Sequence, residues 1–170
     1  MDKEWKMYDG DHKRLTFWGA SPIIFALTII YAILIFIIDH LYRPIFEIDF
    51  IPNTVSIAVS IALLCIGIPL YIIVLKGLRA AYRRHELMTT GCLSICRNPL
   101  FAVVIFLVLP GLLLLFDSWI LLTIPLFMYI IFKVFISREE HLMEKEFGQD
   151  YITYKNNTSQ LFPKFWNYKK

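Results

Sequence analysis

Four long apolar runs, separated by short polar stretches, dominate the pattern of the chain. Residues 17–38, 51–75 and 99–116 carry no charge, and residues 119–136 carry only Lys133. At about 1.5 Å of rise per residue, each run covers most or all of the roughly 30 Å hydrocarbon core of a bilayer. The pattern therefore predicts four membrane-spanning helices and an all-α, polytopic integral membrane protein.

The connection between the third and fourth runs is only Asp117-Ser118. So short a turn requires an antiparallel helix hairpin, with residues 97 and 139 at the same end. Residues 137–146 are predicted to extend the fourth helix into water. We divide the chain into residues 1–76, with two membrane helices, and a functional region at 77–170 formed by the central loop, the hairpin and a cofactor-binding C-terminal extension.

Composition and charge agree with membrane residence. The apolar content of 58% and the mean hydropathy of +0.59 exceed the values of ordinary soluble domains. Lysine and arginine concentrate in the two termini and the loop after the second run, whereas the other two connections carry only Arg43. The positive-inside rule then places both termini and the central loop in the cytoplasm of an inner-membrane protein. The charged first fifteen residues, followed by no small-residue cleavage site, predict no cleavable signal.

The candidate chemistry lies in the polar stretch 85–101, HELMTTGCLSICRNPLF, and in the carboxylate pair at the far end of the hairpin. Arg97 offers a rigid fork for a carboxylate or phosphate. Glu139 and Glu140 offer acceptors for an ammonium group or for sugar hydroxyls, and backbone amides near Gly91 add donors. An amino-acid zwitterion with an attached ribose would satisfy this whole set.

Each of these residues also has a plainer interpretation when taken alone. Arg97 is typical of an interfacial residue that binds lipid headgroups. The carboxylate pair is typical of a solvated helix face, and His85 of a surface histidine. The three cysteines lack the partners of a metal site, and no nucleic-acid pattern is present, so we expect neither a metal nor a nucleic-acid partner.

The order and spacing of these residues resemble the isoprenylcysteine carboxyl methyltransferase and phospholipid methyltransferase superfamily. The resemblance covers residues 77–165, about half of the chain. Its first half has the pattern of an H-x-x-[LVM] segment, a glycine and an R-[HN]-P motif; its second half, after the hairpin, reads E-E-x-x-L-x-x-x-F-G-x-x-Y-x-x-Y. The matching residues are His85, Met88, Gly91, Leu93, Arg97, Asn98, Pro99, Phe101, Glu139, Glu140, Leu142, Met143, Phe147, Gly148, Tyr151 and Tyr154.

The resemblance implies an S-adenosylmethionine-dependent methyltransferase that takes a lipophilic or small acceptor, a carboxylate, amine or thiol, from the bilayer. Such a reaction depends chiefly on in-line positioning and desolvation. Arg97 and Glu140 are then the catalytic candidates, with His85 or Glu140 as the base for an amine or thiol. The residues expected to bind the cofactor are His85, Glu86, Leu87, Met88, Gly91, Leu93, Asn98, Pro99, Leu100, Phe101 and Glu139.

The chain departs from the family pattern at several positions. Phe101 stands where the pattern has tyrosine, Leu93 where it has an aromatic residue, and Asn98 where histidine is usual. Phe135 occupies the position of a substrate-contacting arginine, which argues against a prenylated-protein carboxylate as acceptor. The alternative function is a catalytically inactive membrane protein that keeps the fold for lipid or partner binding. Oligomeric state is not encoded in any recognisable pattern.

Overall fold

The computed structural model describes residues 21–49, 51–82 and 92–162, and this part of the chain is predominantly helical and contains no strand. Its only extended pairing is one isolated antiparallel bridge between Glu47 and Ser118. The helical elements are α1 Ser21–Phe46, α2 Asn53–Tyr82, α3 Cys92–Ile95, α4 Pro99–Val103, a π-helical segment Val104–Val108, α5 Leu109–Leu113, two 3₁₀ turns Leu114–Phe116 and Ile120–Leu122, and α6 Thr123–Asn157.

Four helical stretches are long and apolar enough to cross a membrane. They are Ser21–Phe46, Asn53–Arg79, Pro99–Phe116 and Ile120–Lys145, and we refer to the last two as the third and fourth spans. The predicted all-α membrane architecture is confirmed at this level. The second helix also continues beyond its apolar run to Tyr82.

The first helix is longer than its apolar run. The sequence predicted an end at residue 38, but α1 continues to Phe46. That prediction was wrong because Asp39 is buried inside the bundle, where the Ser118 hydroxyl donates a hydrogen bond to its carboxylate. The helix leaves helical geometry only at Tyr42, two residues before Pro44. This break is expected because a proline ring disfavours helical geometry in the residues before it.

The third span is a continuous series of helical segments, whose type changes from α to π, back to α and then to 3₁₀. Pro110 has no N–H, and its ring would collide with the carbonyl of Phe106 in a regular α-helix. The wider π-helical segment Val104–Val108 lies on this turn and provides the extra room. The span nevertheless runs from Pro99 to Phe116, which are the bounds that the sequence predicted.

The turn between the third and fourth spans is tight and is tied to the first helix. Asp117 adopts a left-handed conformation at φ 54°, which aspartate tolerates better than most residues. The N–H of Ile48 donates to the Asp117 carbonyl at 3.1 Å, and the N–H of Trp119 donates to the Phe46 carbonyl at 3.0 Å. The predicted hairpin is confirmed, and these bonds fix the end of α1 against it.

Two glycines allow α2 and the third span to approach closely. A Cβ atom on Gly67 would lie 3.0 Å from the Cβ of Leu107, and one on Gly111 would lie 3.0 Å from the Cβ of Leu63. Each helix thus presents a glycine to a leucine of the other. Small residues at such contacts increase the van der Waals contact between helices, which is a main source of association in lipid.

The core lies where α1, the third span and the fourth span meet. Ile24, Phe101, Met128 and Phe132 are buried there, and Leu161, from beyond the end of α6, packs against the same cluster. Phe101 contacts Phe132 with ring centroids 4.8 Å apart. The segment after α6 is therefore part of the core.

Substituting Gly67 by alanine should destabilise the bundle by about 1–3 kcal/mol, because the new methyl group overpacks the contact with Leu107. Gly77 is the matched control: it lies on the same helix with open space around it, so alanine there should be neutral or stabilising by up to about 1 kcal/mol. Reversible unfolding in mixed detergent micelles measures both. Equal effects at the two positions would contradict the close approach.

Candidate functional site

The predicted site residues fall into two groups. Five of them, His85, Glu86, Leu87, Met88 and Gly91, lie outside the described residues. The structure places Leu93 in α3, Arg97 and Asn98 directly before α4, Pro99, Leu100 and Phe101 in the first turn of α4, and Glu139 and Glu140 on α6.

Arg97 and Glu140 form an ion pair. The Nη2 atom of Arg97 lies 2.9 Å from Oε1 of Glu140, and the two side chains are only 11% and 9% exposed. These residues are 43 positions apart and come from the two feet of the hairpin. The expectation that the hairpin brings its two feet together is confirmed by this contact.

The same guanidinium also binds the end of α6. Nη1 of Arg97 donates to the carbonyl of Lys155 at 2.6 Å and to the carbonyl of Thr158. The last carbonyls of a helix have no partner within the helix, so a fork of N–H groups is well suited to them. One side chain thus joins the start of the third span, the fourth span and the end of α6.

Residues 158–162, which we name the C-terminal strap, lie along the entrance to α4. The N–H of Arg97 donates to the Ser159 carbonyl at 2.8 Å, and the N–H of Asn98 donates to the Gln160 carbonyl at 3.0 Å. The strap then buries Leu161 in the core. Asn98 therefore fixes the strap through its backbone.

Gly148 divides α6 and reverses its direction. Its φ of 55° and ψ of −131° are essentially accessible to glycine alone. Residues 149–157, which we name the fold-back helix, return along the fourth span, and Lys155 Nζ lies 3.0 Å from Glu140 Oε2. In a straight helix these two residues would be about 22 Å apart. The fourth helix therefore extends beyond its apolar run, as predicted, and leaves helical geometry at Gly148.

The fold-back helix is held by charge and by two tyrosines. Lys155 binds Glu144 at 2.7 Å as well as Glu140, and these two hydrogen bonds raise its pKa. Burial, with a smaller contribution from the Glu140 charge, raises the pKa of Tyr151 to about 12. The Tyr154 hydroxyl donates to the Leu93 carbonyl at 2.7 Å, which fixes α3 against the fold-back helix.

Phe101 and Glu139 have different surroundings. Phe101 is 6% exposed and stacks on Phe25 with ring centroids 5.8 Å apart, so its ring belongs to the core. A phenol hydroxyl at this position would have to find a partner in an apolar environment, which explains why phenylalanine suits this chain. Glu139 is half-buried on α6 beside the ion pair.

Two buried polar atoms beside the ion pair have no partner among the described residues: Arg97 Nε and Ser159 Oγ. They provide one N–H donor and one hydroxyl that could serve a polar ligand. The two best-formed cavities within the described residues, of about 460 and 410 Å³, are lined by neither Arg97 nor Glu140. Neither of these cavities therefore belongs to the Arg97 cluster.

Lys155, Gln160 and Tyr154 are central to this cluster, and sequence reasoning gave them no role in it. Gln160 donates its amide to Glu140 at 3.0 Å. Gly148 was the available sequence signal for Lys155. A helix reversal at this glycine brings Lys155, eleven residues after Glu144, back to the carboxylates of Glu140 and Glu144. Gln160 and its strap follow no helical period and left no comparable signal.

Replacing Arg97 by methionine should cost about 3 kcal/mol, because the Glu140 carboxylate loses a buried cation. The stability of Arg97→Lys should lie between that of the native chain and that of Arg97→Met, since an ammonium keeps the charge but not the planar fork of donors. Hydrogen exchange should rise selectively in residues 158–161. The exposed Arg138 on α6, two residues before Glu140, is the control, and Arg138→Met should leave this exchange unchanged.

Alkaline conditions should release the fold-back helix. The pKa values of Lys155 and Tyr151 are raised above their ordinary 10.5 and 10.0, so folding favours their protonated forms. The contribution of Tyr151 to stability is complete below about pH 10 and is lost as the pH rises towards about 12. The contribution of Lys155 is likewise lost only above its ordinary pKa of 10.5. The thermal midpoint should therefore fall as the pH rises from about 10 to about 12, and Tyr151→Phe should reduce this fall. An identical pH profile in that variant would contradict the assignment.

Comparison of the chain with protein-family models, with curated proteins and with solved structures finds no match to any of the three. The geometry of the Arg97 cluster and the resemblance of its motifs are thus what a functional assignment rests on.

Proposed function

We propose that this chain is a membrane-embedded methyltransferase that uses S-adenosylmethionine and methylates a lipophilic or small acceptor. The observation that carries the proposal is the 2.9 Å contact between Arg97 and Glu140. It joins the two halves of the methyltransferase-like motif at one end of the hairpin. The distribution of lysine and arginine supports a cytoplasmic location for this end, where the water-soluble cofactor is available.

The polar groups at this end fit the chemistry of the cofactor. Arg97 Nε is a buried, unused donor among the described residues and suits a carboxylate. The Glu139 carboxylate suits an ammonium group or ribose hydroxyls. The resemblance also assigns His85 and Met88 to the cofactor, and both lie outside the described residues. When bound, the cofactor supplies an electrophilic sulfonium methyl group.

In this proposal the chain contributes mainly position and exclusion of water. Arg97, already bonded to Glu140 and to the end of α6, acts as a positioning residue for the entrance to α4. Glu140 holds Arg97, Lys155 and Gln160, so the fold-back helix and the strap cover this end of the bundle. An acceptor carboxylate needs no base. For an amine or thiol, His85 or Glu140 would take the proton.

A second function is favoured by one specific observation. Both terminal nitrogens of Arg97 and both oxygens of Glu140 already have partners within the chain. A cluster satisfied in this way is also what a catalytically inactive protein would keep to hold its fold together. In that case the chain acts through lipid or partner contacts.

Binding of S-adenosylmethionine to the detergent-solubilised full chain, measured by calorimetry, distinguishes the two functions. Glu139→Ala should weaken binding about 10- to 100-fold, because a hydrogen bond to a charged group is worth about 1.5–3 kcal/mol. Asp150→Ala is the control, an exposed carboxylate beyond Gly148, and should bind as the native chain does. No heat of binding to a chain with a normal thermal midpoint would overturn the methyltransferase proposal.

The acceptor can be found with native membranes that contain the protein. Incubation with methyl-labelled S-adenosylmethionine, followed by extraction into organic and aqueous phases, should label one lipid or small molecule. The label should disappear with Glu139→Ala and persist with Asp150→Ala. Labelling that is the same in membranes without the protein would count against enzymatic activity.

A further inference from the structure

A groove on the membrane-facing side of the bundle has no role in the proposed methyl transfer. It has a volume of about 410 Å³ and lies between the third and fourth spans. Phe106, Tyr129 and Phe162 form one end of it, and Pro110, Pro125 and Leu126 the other. All of these side chains are predominantly apolar, so the groove suits a hydrocarbon chain.

The groove follows from the two prolines and the strap. Pro110 lies just beyond the π-helical segment of the third span, and Pro125 lies in the first turn of α6. The strap adds Phe162, whose ring centroid is 4.7 Å from that of Phe106. The strap thus closes the end of the groove that faces the Arg97 cluster.

A cation lies directly beyond this closed end. The Lys133 ammonium is 5.9 Å from the centroid of the Tyr129 ring, which lines the groove. It donates a hydrogen bond to Oε1 of Gln160. The backbone carbonyl of Gln160 in turn accepts from Asn98, the residue before the third span begins. The Lys133 ammonium therefore reaches the level of the Pro99 end of the third span, where lipid phosphates lie.

Lys133 has an exposed side chain and no acidic partner among the described residues. Among the described residues, its ammonium contacts a neutral amide and the face of a ring. A charge in a membrane helix is costly at the centre of the bilayer and less so towards its surface, and such charges are usually paired. An anion supplied by the membrane would complete this pairing.

We propose that the groove binds one acyl chain of an anionic phospholipid whose phosphate group pairs with Lys133. The apolar groove and the cation are adjacent, share Tyr129, and are arranged in the order of a lipid chain and its headgroup. This proposal does not depend on methyltransferase activity. Gln160 joins Lys133 to Glu140, so the lipid would also contact the strap next to the Arg97 cluster.

Quenching of tryptophan fluorescence by brominated acyl chains tests the proposal. Leu126→Trp places a reporter in the groove, and Ile30→Trp places one on the exposed face of α1. Both variants are reconstituted in phosphatidylcholine nanodiscs in which either the phosphatidylglycerol or an equal fraction of the phosphatidylcholine carries bromine. The quenching of the unsubstituted chain is subtracted.

Quenching of the groove reporter should show about fivefold enrichment of the anionic lipid, since one cation near the surface attracts it by about 1 kcal/mol. The α1 reporter should show no enrichment. Lys133→Met should abolish the enrichment, Lys133→Arg should keep it, and Lys145→Met, an exposed lysine on the same helix, should leave it unchanged. Equal enrichment at both reporters, or enrichment that survives Lys133→Met, would overturn the proposal.

Native mass spectrometry of the chain without a reporter gives an independent measurement if Leu126→Trp does not fold. The native chain, released from micelles that contain phosphatidylglycerol, should retain one such lipid. Lys133→Met should lose it, and Lys145→Met should retain it. Retention by Lys133→Met, or equal retention of phosphatidylcholine by the native chain, would contradict the assigned headgroup contact.

Discussion

The Arg97 guanidinium joins more of the described structure than any single apolar contact does. The guanidinium binds the fourth span through Glu140 and the end of α6 through two carbonyls. The backbone N–H of Arg97 also donates a hydrogen bond to the strap. In a membrane bundle the lipid chains are as apolar as the helix faces, so the hydrophobic effect does not favour helix contacts over lipid contacts. Apolar packing alone therefore discriminates poorly between helix arrangements. A polar cluster at the end of the spans, where water begins, provides the missing specificity.

The positive and negative charges of this cluster balance each other. Two cations, Arg97 and Lys155, face two carboxylates, Glu140 and Glu144. Removing Arg97 or Glu140, whose side chains are only 11% and 9% exposed, leaves an uncompensated charge in a poorly solvated place, which is more costly than removing a surface pair. The cluster can therefore organise this end of the bundle whether or not it also handles a cofactor, and its existence alone does not require an enzyme.

The sequence predicted the features that depend on long patterns. Four apolar runs gave four spans, and Asp117-Ser118 gave the hairpin that brings Arg97 to Glu140. Features that depend on single contacts were not predictable. Asp39 ends the first uncharged run and predicts a helix end because a carboxylate normally faces water. In the bundle it is buried instead, and the hydroxyl of Ser118, 79 residues away, donates a hydrogen bond to it. Likewise, Lys155 and Gln160 reach the site only because Gly148 reverses the chain.

The paired glycines of α2 and the third span have a consequence for how this sequence can diverge. Gly67 meets Leu107, and Gly111 meets Leu63, in two contacts that lie about one helical turn apart. Sliding one helix along the other would break both contacts at once, so together they fix the axial register. A side chain gained at position 67 would require a smaller one at 107, and homologous chains should therefore show co-variation between these two positions.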